Sequence, residues 1–160
     1  MSRAHPDLDS LAFLVGTWKG HGNGRYPTIK PFEYVEEAVF TPGPGKPFIA
    51  YRQRTRRAGA AGEPLHSESG YIRPGGPDGP ELVIAQVTGI VEVHTGRVDS
   101  NRVCFRSSDV RMSPTAVEVS RVERCIRVVG DSMRYRLWMA AVGQPFQVHL
   151  EAELTRVQNG

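Results

Sequence analysis

The chain has 160 residues, of which 39% are hydrophobic and 23% are charged. This is typical of a single globular domain spanning residues 1–160, rather than of a disordered segment or a string of modules. Its net charge of +3 at pH 7 is small and spread along the sequence, which argues against nucleic-acid binding. No apolar run reaches the roughly 18 residues of a membrane-spanning helix, and the first residues lack the apolar core of a secretory signal. The sequence therefore predicts a cytoplasmic protein that binds neither nucleic acid nor membrane.

The predicted elements begin with a short helix from Pro6 to Val15, which Pro6 can open and Gly16 can end. Beyond it, glycine and proline recur about every ten residues, and the segments between them alternate as strands do. We expect about ten strands. They run from Thr17 to Gly22, Phe32 to Thr41, Phe48 to Arg57, Leu65 to Arg73, Glu81 to Val87, Ile90 to Asp99, Arg102 to Ser107, Thr115 to Val129, Ser132 to Val142 and Phe146 to Arg156.

A strand meander of this length leaves exposed edges unless its first and last strands pair. The economical arrangement is therefore a closed, antiparallel, up-and-down β-barrel, and a two-sheet sandwich is the alternative. Barrels of this width can hold a small molecule in the lumen. An all-β barrel favours binding of a small apolar ligand, but a fold alone does not fix a function.

Charged residues on the predicted strands are interpreted as solvated strand faces, since alternation places every second side chain on the same side. These residues are Arg52, Arg54 and Arg56 on one strand, Glu36 and Glu37 on another, and Glu151 and Glu153 on the last. Under this interpretation the paired carboxylates offer little basis for acid/base catalysis.

Cysteine chemistry is not indicated by the sequence. Only two cysteines occur, Cys104 and Cys125, and they form neither a C-x-x-C pair nor a disulfide framework. No G-x-S-x-G motif is present, and no cysteine lies beside a histidine in the sequence. We expect both cysteines to be buried apolar fillers.

The five histidines lack the paired spacing that zinc sites usually display. One imidazole is nevertheless enough for a haem, because the porphyrin supplies the four in-plane donors. His149 is a candidate, but alternation groups Val148 with Leu150 on the apolar face and points His149 outward. A polar lumen, or a bulge near residues 143–146, would reverse that orientation.

Several separated motifs resemble the nitrobindins, haem-binding β-barrel proteins with peroxynitrite isomerase activity. Residues 16–22 read GTWKGHG and resemble the family's G-x-W-x-G-x-G signature. Residues 24–29 read GRYPTI, residues 31–34 read PFEY, and residues 65–71 read LHSESGY, each similar to a family segment in the same order. Residues 141–145, AVGQP, followed by His149 are similar to the family's final hairpin. The likeness covers almost the whole chain and is greatest to actinobacterial members.

The resemblance implies a ten-stranded barrel with one ferric haem b per subunit in a shallow, open pocket, and a homodimeric assembly. His149 would be the proximal iron ligand and the catalytic residue. Thr28 would lie against the haem, and Arg124 falls where similar mycobacterial proteins carry a basic residue associated with the cofactor. From the pattern alone, Thr28 could equally be a turn residue and Arg124 a solvated strand residue. His66 and His94 are expected in core or surface roles.

The implied activity is isomerisation of peroxynitrite to nitrate, since ferric iron with an open position can act as a Lewis acid toward a peroxide oxygen. Two other functions stay open. A non-enzymatic carrier or sensor of nitric oxide would need the same pocket and the same His149. A lipocalin-like carrier of an apolar small molecule would have no use for an imidazole at that position.

Overall fold

Ten antiparallel strands close into a barrel in the computed structural model, which describes residues 3–158. The strands are β1 (Gly16–Tyr26), β2 (Ile29–Pro42), β3 (Ile49–Arg57), β4 (Pro64–Gly76), β5 (Gly79–Gln86), β6 (Ile90–Asp99), β7 (Arg102–Met112), β8 (Val119–Val129), β9 (Ser132–Ala141) and β10 (Gln147–Arg156). Every strand pairs with its neighbours in sequence, and β1 also pairs with β10. The predicted up-and-down barrel is confirmed, and the sandwich alternative is wrong because the sheet has no open edge.

The largest differences from the predicted strand limits lie at the end of β1, which continues to Tyr26 rather than Gly22, and where β7 and β8 separate. β7 continues to Met112 rather than ending at Ser107, because its second half still pairs with β6. β8 begins at Val119 rather than at Thr115, since residues 113–118 form the connecting turn. The two strands therefore share only five residue pairs, from Arg102 to Arg106 on β7.

A short 3₁₀ helix at Pro6–Leu14 precedes the barrel, one residue shorter than predicted. Leu8, Leu11 and Leu14 are buried, and their spacing of three matches the three residues per turn of a 3₁₀ helix, so they line one edge. The carbonyl of Leu14 accepts a hydrogen bond of 2.9 Å from the indole nitrogen of Trp18. The helix thus closes one end of the barrel with Trp18 beneath it. No helix within residues 3–158 is long and apolar enough to cross a membrane.

Polar residues separate two apolar clusters inside the barrel. The larger cluster lies under the 3₁₀ helix and contains Trp18 and Phe40. The smaller lies toward the opposite end and contains Tyr26 and Leu137. The buried polar residues are Glu36, Gln53, Thr55, Glu68, Glu92, His94 and Arg124.

The outer face confirms one sequence interpretation and overturns another. Arg52, Arg54 and Arg56 are exposed, as predicted. Cys104 and Cys125 are not buried apolar fillers: they form a disulfide between β7 and β8, where they lie directly opposite each other with a Cα–Cα distance of 4.1 Å. Their neighbours in sequence occupy the lumen, so alternation places both cysteines half-buried on the outside.

The glycines of β1 make room for neighbouring strands. A Cβ at Gly20 would collide with the main-chain carbonyl of Glu153 on β10, and a Cβ at Gly22 would meet the ring of Tyr34 on β2. Gly20 therefore permits the close approach of the two strands that close the barrel, and Gly22 gives an aromatic ring its place.

We expect Gly20→Ala to lower the free energy of unfolding by about 1–3 kcal/mol, because the backbone of β10 must shift to admit one methyl group. Urea denaturation followed by tryptophan fluorescence measures the change. Gly76→Ala is the matched control, since nothing lies within 4 Å of a Cβ at that position, and it should change stability by less than about 0.5 kcal/mol. Equal effects from the two variants would contradict the assigned contact.

Candidate functional site

A cavity of about 860 Å³ opens at the end of the barrel opposite the 3₁₀ helix. Its rim is built from hairpin turns that include Thr28, Thr88, Thr115 and Val142, and its walls are mostly apolar. The volume lies within the range of small-molecule and cofactor pockets. The lumen is therefore open at one end and closed at the other.

His149 lies in the wall of this cavity because β10 carries a bulge. Val148 lies opposite Trp138 on β9, whereas Leu150 lies opposite Leu137, the next residue along. His149 is thus an extra residue that has no partner of its own in the register. A bulge lets two consecutive residues face the same side, and both His149 and Leu150 line the cavity. The outward orientation that alternation suggested is wrong, and the bulge lies later than residues 143–146.

The His149 ring is oriented by its surroundings. Its Nδ1 lies 2.9 Å from the carbonyl oxygen of Arg25, so Nδ1–H donates and Nε2 carries the lone pair. Tyr26 packs edge-on against the ring with centroids 5.4 Å apart. Burial lowers the pKa of His149 below its ordinary value, although the bond to Arg25 acts in the opposite direction. The imidazole is therefore neutral at pH 7.

Arg124 lies in the floor of the cavity and is almost fully buried, not solvated. Its guanidinium is 2.9 Å from Glu68 and 3.5 Å from Glu92. Burial alone would lower the pKa of Arg124, but the two carboxylates outweigh it and raise that pKa. Burial alone would likewise raise the pKa of Glu68, but Arg124 and then His66 lower it to about 2. Both partners are charged because each lies beside the other.

Glu36 is buried beside this ion cluster, so its assignment to a solvated strand face is wrong. Its carboxylate accepts hydrogen bonds from Gln53 Nε2 at 2.6 Å and from the Tyr135 hydroxyl at 2.8 Å. Burial raises the pKa of Glu36 to about 7, even though these bonds favour the charged form. Glu36 therefore exchanges its proton near neutral pH.

The two remaining histidines inside the barrel each contact a carboxylate. His94 is fully buried, 2.9 Å from Glu92, which confirms a core role. Burial lowers its pKa. His66 lies in the cavity wall, 2.9 Å from Glu68 and about one quarter exposed. Each ring is held by its carboxylate, and both carboxylates also contact Arg124.

The residues of the cavity suit a haem. One imidazole with a free nitrogen lies in an apolar wall, and a haem needs only one such ligand because the porphyrin supplies four donors. In the floor, Gln53 Oε1 and Arg124 Nε are buried without a hydrogen-bond partner among residues 3–158. Buried polar atoms of this kind usually bind water or a ligand. Within the same residues, no group of three or more His, Cys, Asp or Glu side chains could hold a metal ion.

Residues 7–156 match the family model described as the THAP4-like, heme-binding beta-barrel domain. The chain belongs to this family, the nitrobindins. The resemblance seen in the sequence motifs is thereby confirmed.

Several relatives of this nitrobindin come from mycobacteria. Peroxynitrite isomerase 2 of Mycobacterium marinum is 50% identical over 156 residues, which cover 95% of this chain and 96% of that protein. Peroxynitrite isomerase 1 of Mycobacterium tuberculosis is 48% identical over 158 residues, which cover 94% of this chain and 95% of that protein. The crystal structure of Rv2717c from M. tuberculosis superposes with a TM-score of 0.87 at 45% identity, covering 98% of this chain and all of that one.

The structure brings His149, Thr28 and Arg124 to one cavity, but at different depths: Thr28 at the rim, His149 in the wall and Arg124 in the floor. Sequence reasoning missed the carboxylates of the floor. A signal was present, because Glu36 shares its side of β2 with Tyr34 and Ala38, two buried residues. A charged residue on the same side of a strand as buried apolar residues predicts a buried polar site.

We expect Glu36→Gln to alter the pH dependence of stability. Because the folded-state pKa of Glu36 is about 7, the folded protein keeps a proton that the unfolded chain releases near its ordinary value. Stability is therefore lost as pH rises through that window. Relative to the wild type, Glu36→Gln should gain about 2–3 kcal/mol in free energy of unfolding between pH 5 and pH 8.

Urea denaturation at several pH values measures this difference. The control is Glu81→Gln, which removes an exposed carboxylate paired with Arg73 and should show the same pH profile as the wild type. A difference between Glu36→Gln and the wild type that stays constant with pH would show that Glu36 titrates normally.

Proposed function

We propose that this protein is a haem b enzyme that isomerises peroxynitrite to nitrate, with one haem per subunit and His149 as the proximal ligand. The observation that carries the proposal is the β10 bulge. This bulge directs the neutral imidazole of His149, with its free Nε2, toward a wide apolar cavity. The names of the mycobacterial relatives support the reaction, since each is called a peroxynitrite isomerase.

When bound, a ferric haem would supply a Lewis acid for the peroxide oxygen of the substrate. His149 would hold the iron through Nε2, since its Nδ1 is bound to Arg25. The carbonyl of Arg25 holds Nδ1–H, which fixes the tautomer and the ring orientation, as hydrogen bonds to ligating histidines commonly do. The lowered pKa of His149 keeps protons from competing for the lone pair at neutral pH.

The charges around the cavity favour anions at the rim and disfavour them in the floor. Lys30 and Arg57 lie at the rim. The floor holds three buried carboxylates, those of Glu36, Glu68 and Glu92, against the single guanidinium of Arg124. Anionic peroxynitrite is therefore expected near the rim.

Thr28 and Arg124 are proposed to contact the cofactor from the rim and the floor. Thr28 is exposed in the turn between β1 and β2, where its hydroxyl can reach a group seated at the mouth. The terminal nitrogens of Arg124 are occupied by carboxylates, but its Nε has no partner within residues 3–158. That N–H is the donor through which Arg124 would act.

We further propose that nitric oxide binds at the same open iron position and that the protein is a homodimer. Support for a dimer comes from the outer face of β4, β5 and β6, where Tyr71, Val83 and Val93 lie opposite one another. Tyr71 is 53% exposed and Val93 is 40% exposed. An apolar row of this kind favours contact with a second copy.

We expect His149→Ala to lose the imidazole-ligated ferric haem spectrum and the isomerase rate while the barrel stays folded. Titration of the haem-free protein with hemin, followed by absorbance and by nitrate yield from peroxynitrite, measures both. His66→Gln is the control, because it removes another imidazole of the same cavity and should keep spectrum and rate. Added free imidazole should restore the spectrum of His149→Ala.

A five-coordinate, imidazole-type spectrum retained in His149→Ala would remove His149 from the iron. Absence of specific hemin binding by the wild type would instead favour the carrier of an apolar molecule.

We expect Thr28→Val to weaken haem binding by about 1–2 kcal/mol, the contribution of one hydrogen bond, which corresponds to roughly a five- to thirtyfold higher Kd. Haem transfer to apomyoglobin measures the loss. Thr155→Val is the control, since Thr155 is exposed on β10 toward the other end of the barrel. Arg124→Lys keeps the charge but removes Nε–H, and should weaken binding to a similar degree. Unchanged transfer rates would take both residues out of the site.

A further inference from the structure

The disulfide between Cys104 and Cys125 lies on the outside of the barrel, away from the cavity. The two residues are half-buried and directly opposite each other on β7 and β8. Their Cα atoms are 4.1 Å apart and their sulfur atoms are bonded to each other. The two cysteines are therefore positioned to form and break this bond within a fixed sheet.

Arginines surround the two cysteines on the same outer face. Arg97 lies opposite Cys104 on β6, and Arg136 lies opposite Cys125 on β9. Further arginines lie two residues along the same strands, on the same side as the cysteines. They are Arg102 and Arg106 on β7 and Arg127 on β8.

This ring of five arginines is only partly neutralised. Arg136 pairs with Glu151 at 3.0 Å. Within residues 3–158, Arg97, Arg102, Arg106 and Arg127 have no salt bridge. Glu123, the acidic neighbour of Cys125, is bound to Arg121 at 2.7 Å. Asp99 lies opposite Arg102, and Glu123 lies opposite Arg106. The arginines still outnumber the carboxylates around the sulfur atoms, so the local charge is positive.

Cys125 lies in the wall of a surface groove. Four arginines and two carboxylates share this wall: Arg102, Arg127, Arg134, Arg136, Glu151 and Glu153. Guanidinium groups beside a thiol stabilise its thiolate, which is the nucleophilic form. The same groups attract a small anion to the groove.

We propose that Cys104 and Cys125 are a redox-active dithiol at which this chain reduces peroxynitrite to nitrite, a second reaction separate from the cavity. The substrate is peroxynitrite, the same anionic peroxide as in the proposed function, on which this inference rests. The chemistry needs neither haem nor His149. Its product differs from that of isomerisation, because nitrite and not nitrate is released.

The reaction balances in two steps. The thiolate of Cys125 attacks the terminal peroxide oxygen of the peroxynitrite anion, which takes one proton from the solvent, so that an S–O bond forms, the O–O bond breaks and nitrite leaves. The thiol of Cys104 then attacks the sulfenic acid of Cys125, the S–S bond forms and water leaves. The two sulfur atoms together lose two electrons, and the peroxide gains them. Two equivalents of a low-molecular-weight thiol, oxidised to its own disulfide, restore the dithiol by exchange.

The test uses the haem-free chain, first reduced and then freed of reductant, mixed with peroxynitrite at pH 7.4 in a stopped-flow instrument. Thiol loss and nitrite are measured, with free cysteine as the reference. We expect one nitrite per disulfide formed and a rate at least about tenfold above that of free cysteine. The advantage should shrink at about 0.5 M salt, because screening weakens attraction of the anion.

Variants separate the roles of the residues. Cys125→Ser should lose the fast phase, whereas Cys104→Ser should keep nitrite release and leave a sulfenic acid that dimedone traps. Arg127→Gln should slow the reaction several-fold without unfolding the barrel, because its side chain is exposed. Arg52→Gln is the matched control, an exposed arginine on β3, and should react as the wild type does.

A rate equal to that of free cysteine, or one that Arg127→Gln leaves unchanged, would overturn the proposal. Failure of the isomerase proposal is read separately, from nitrate produced by the haem-loaded protein with its disulfide intact.

Discussion

Each strand residue of a closed barrel faces either the lumen or the solvent, and alternation along the strand decides which. The pairing of β1 with β10 leaves the sheet without an open edge, so each strand residue faces one of these two sides. A bulge changes the side of the sheet that a residue faces. The bulge of β10 does so at His149 and turns this imidazole from the outer face toward the cavity. The candidate site depends on that extra residue.

The same alternation forces charges into the interior, and the barrel stabilises them by pairing. A buried charge without a partner would cost several kcal/mol. Glu68 and Glu92 share the guanidinium of Arg124, which leaves Glu36 as the third carboxylate with no cation in contact. Burial raises its pKa to about 7, and the charge of Glu68 adds to that rise. The floor is held by the ion cluster, and its surplus negative character confines anionic ligands to the basic rim.

The sequence predicted what depends on local periodicity and on the family motifs. Strand number and closure followed from alternation and glycine punctuation, and the family resemblance followed from motifs such as GTWKGHG. The inward turn of His149 did not, because a bulge depends on register with β9 and leaves no mark in the alternation of β10. The Cys104–Cys125 disulfide was missed for a related reason, since 21 residues separate the cysteines and only the β7–β8 register brings them together.

The disulfide and the ion cluster occupy opposite faces of one short stretch of sheet. Cys104 pairs with Cys125 and, one step along, Phe105 pairs with Arg124. This seam contains five residue pairs, which set its register. Cys104 and Cys125 are already opposite each other in the sheet, so the bond can form or break outside while the guanidinium keeps its carboxylate partners inside. Chemistry on the outer face can therefore proceed without disturbing the floor of the cavity, which allows one small barrel to carry two separate reactive sites.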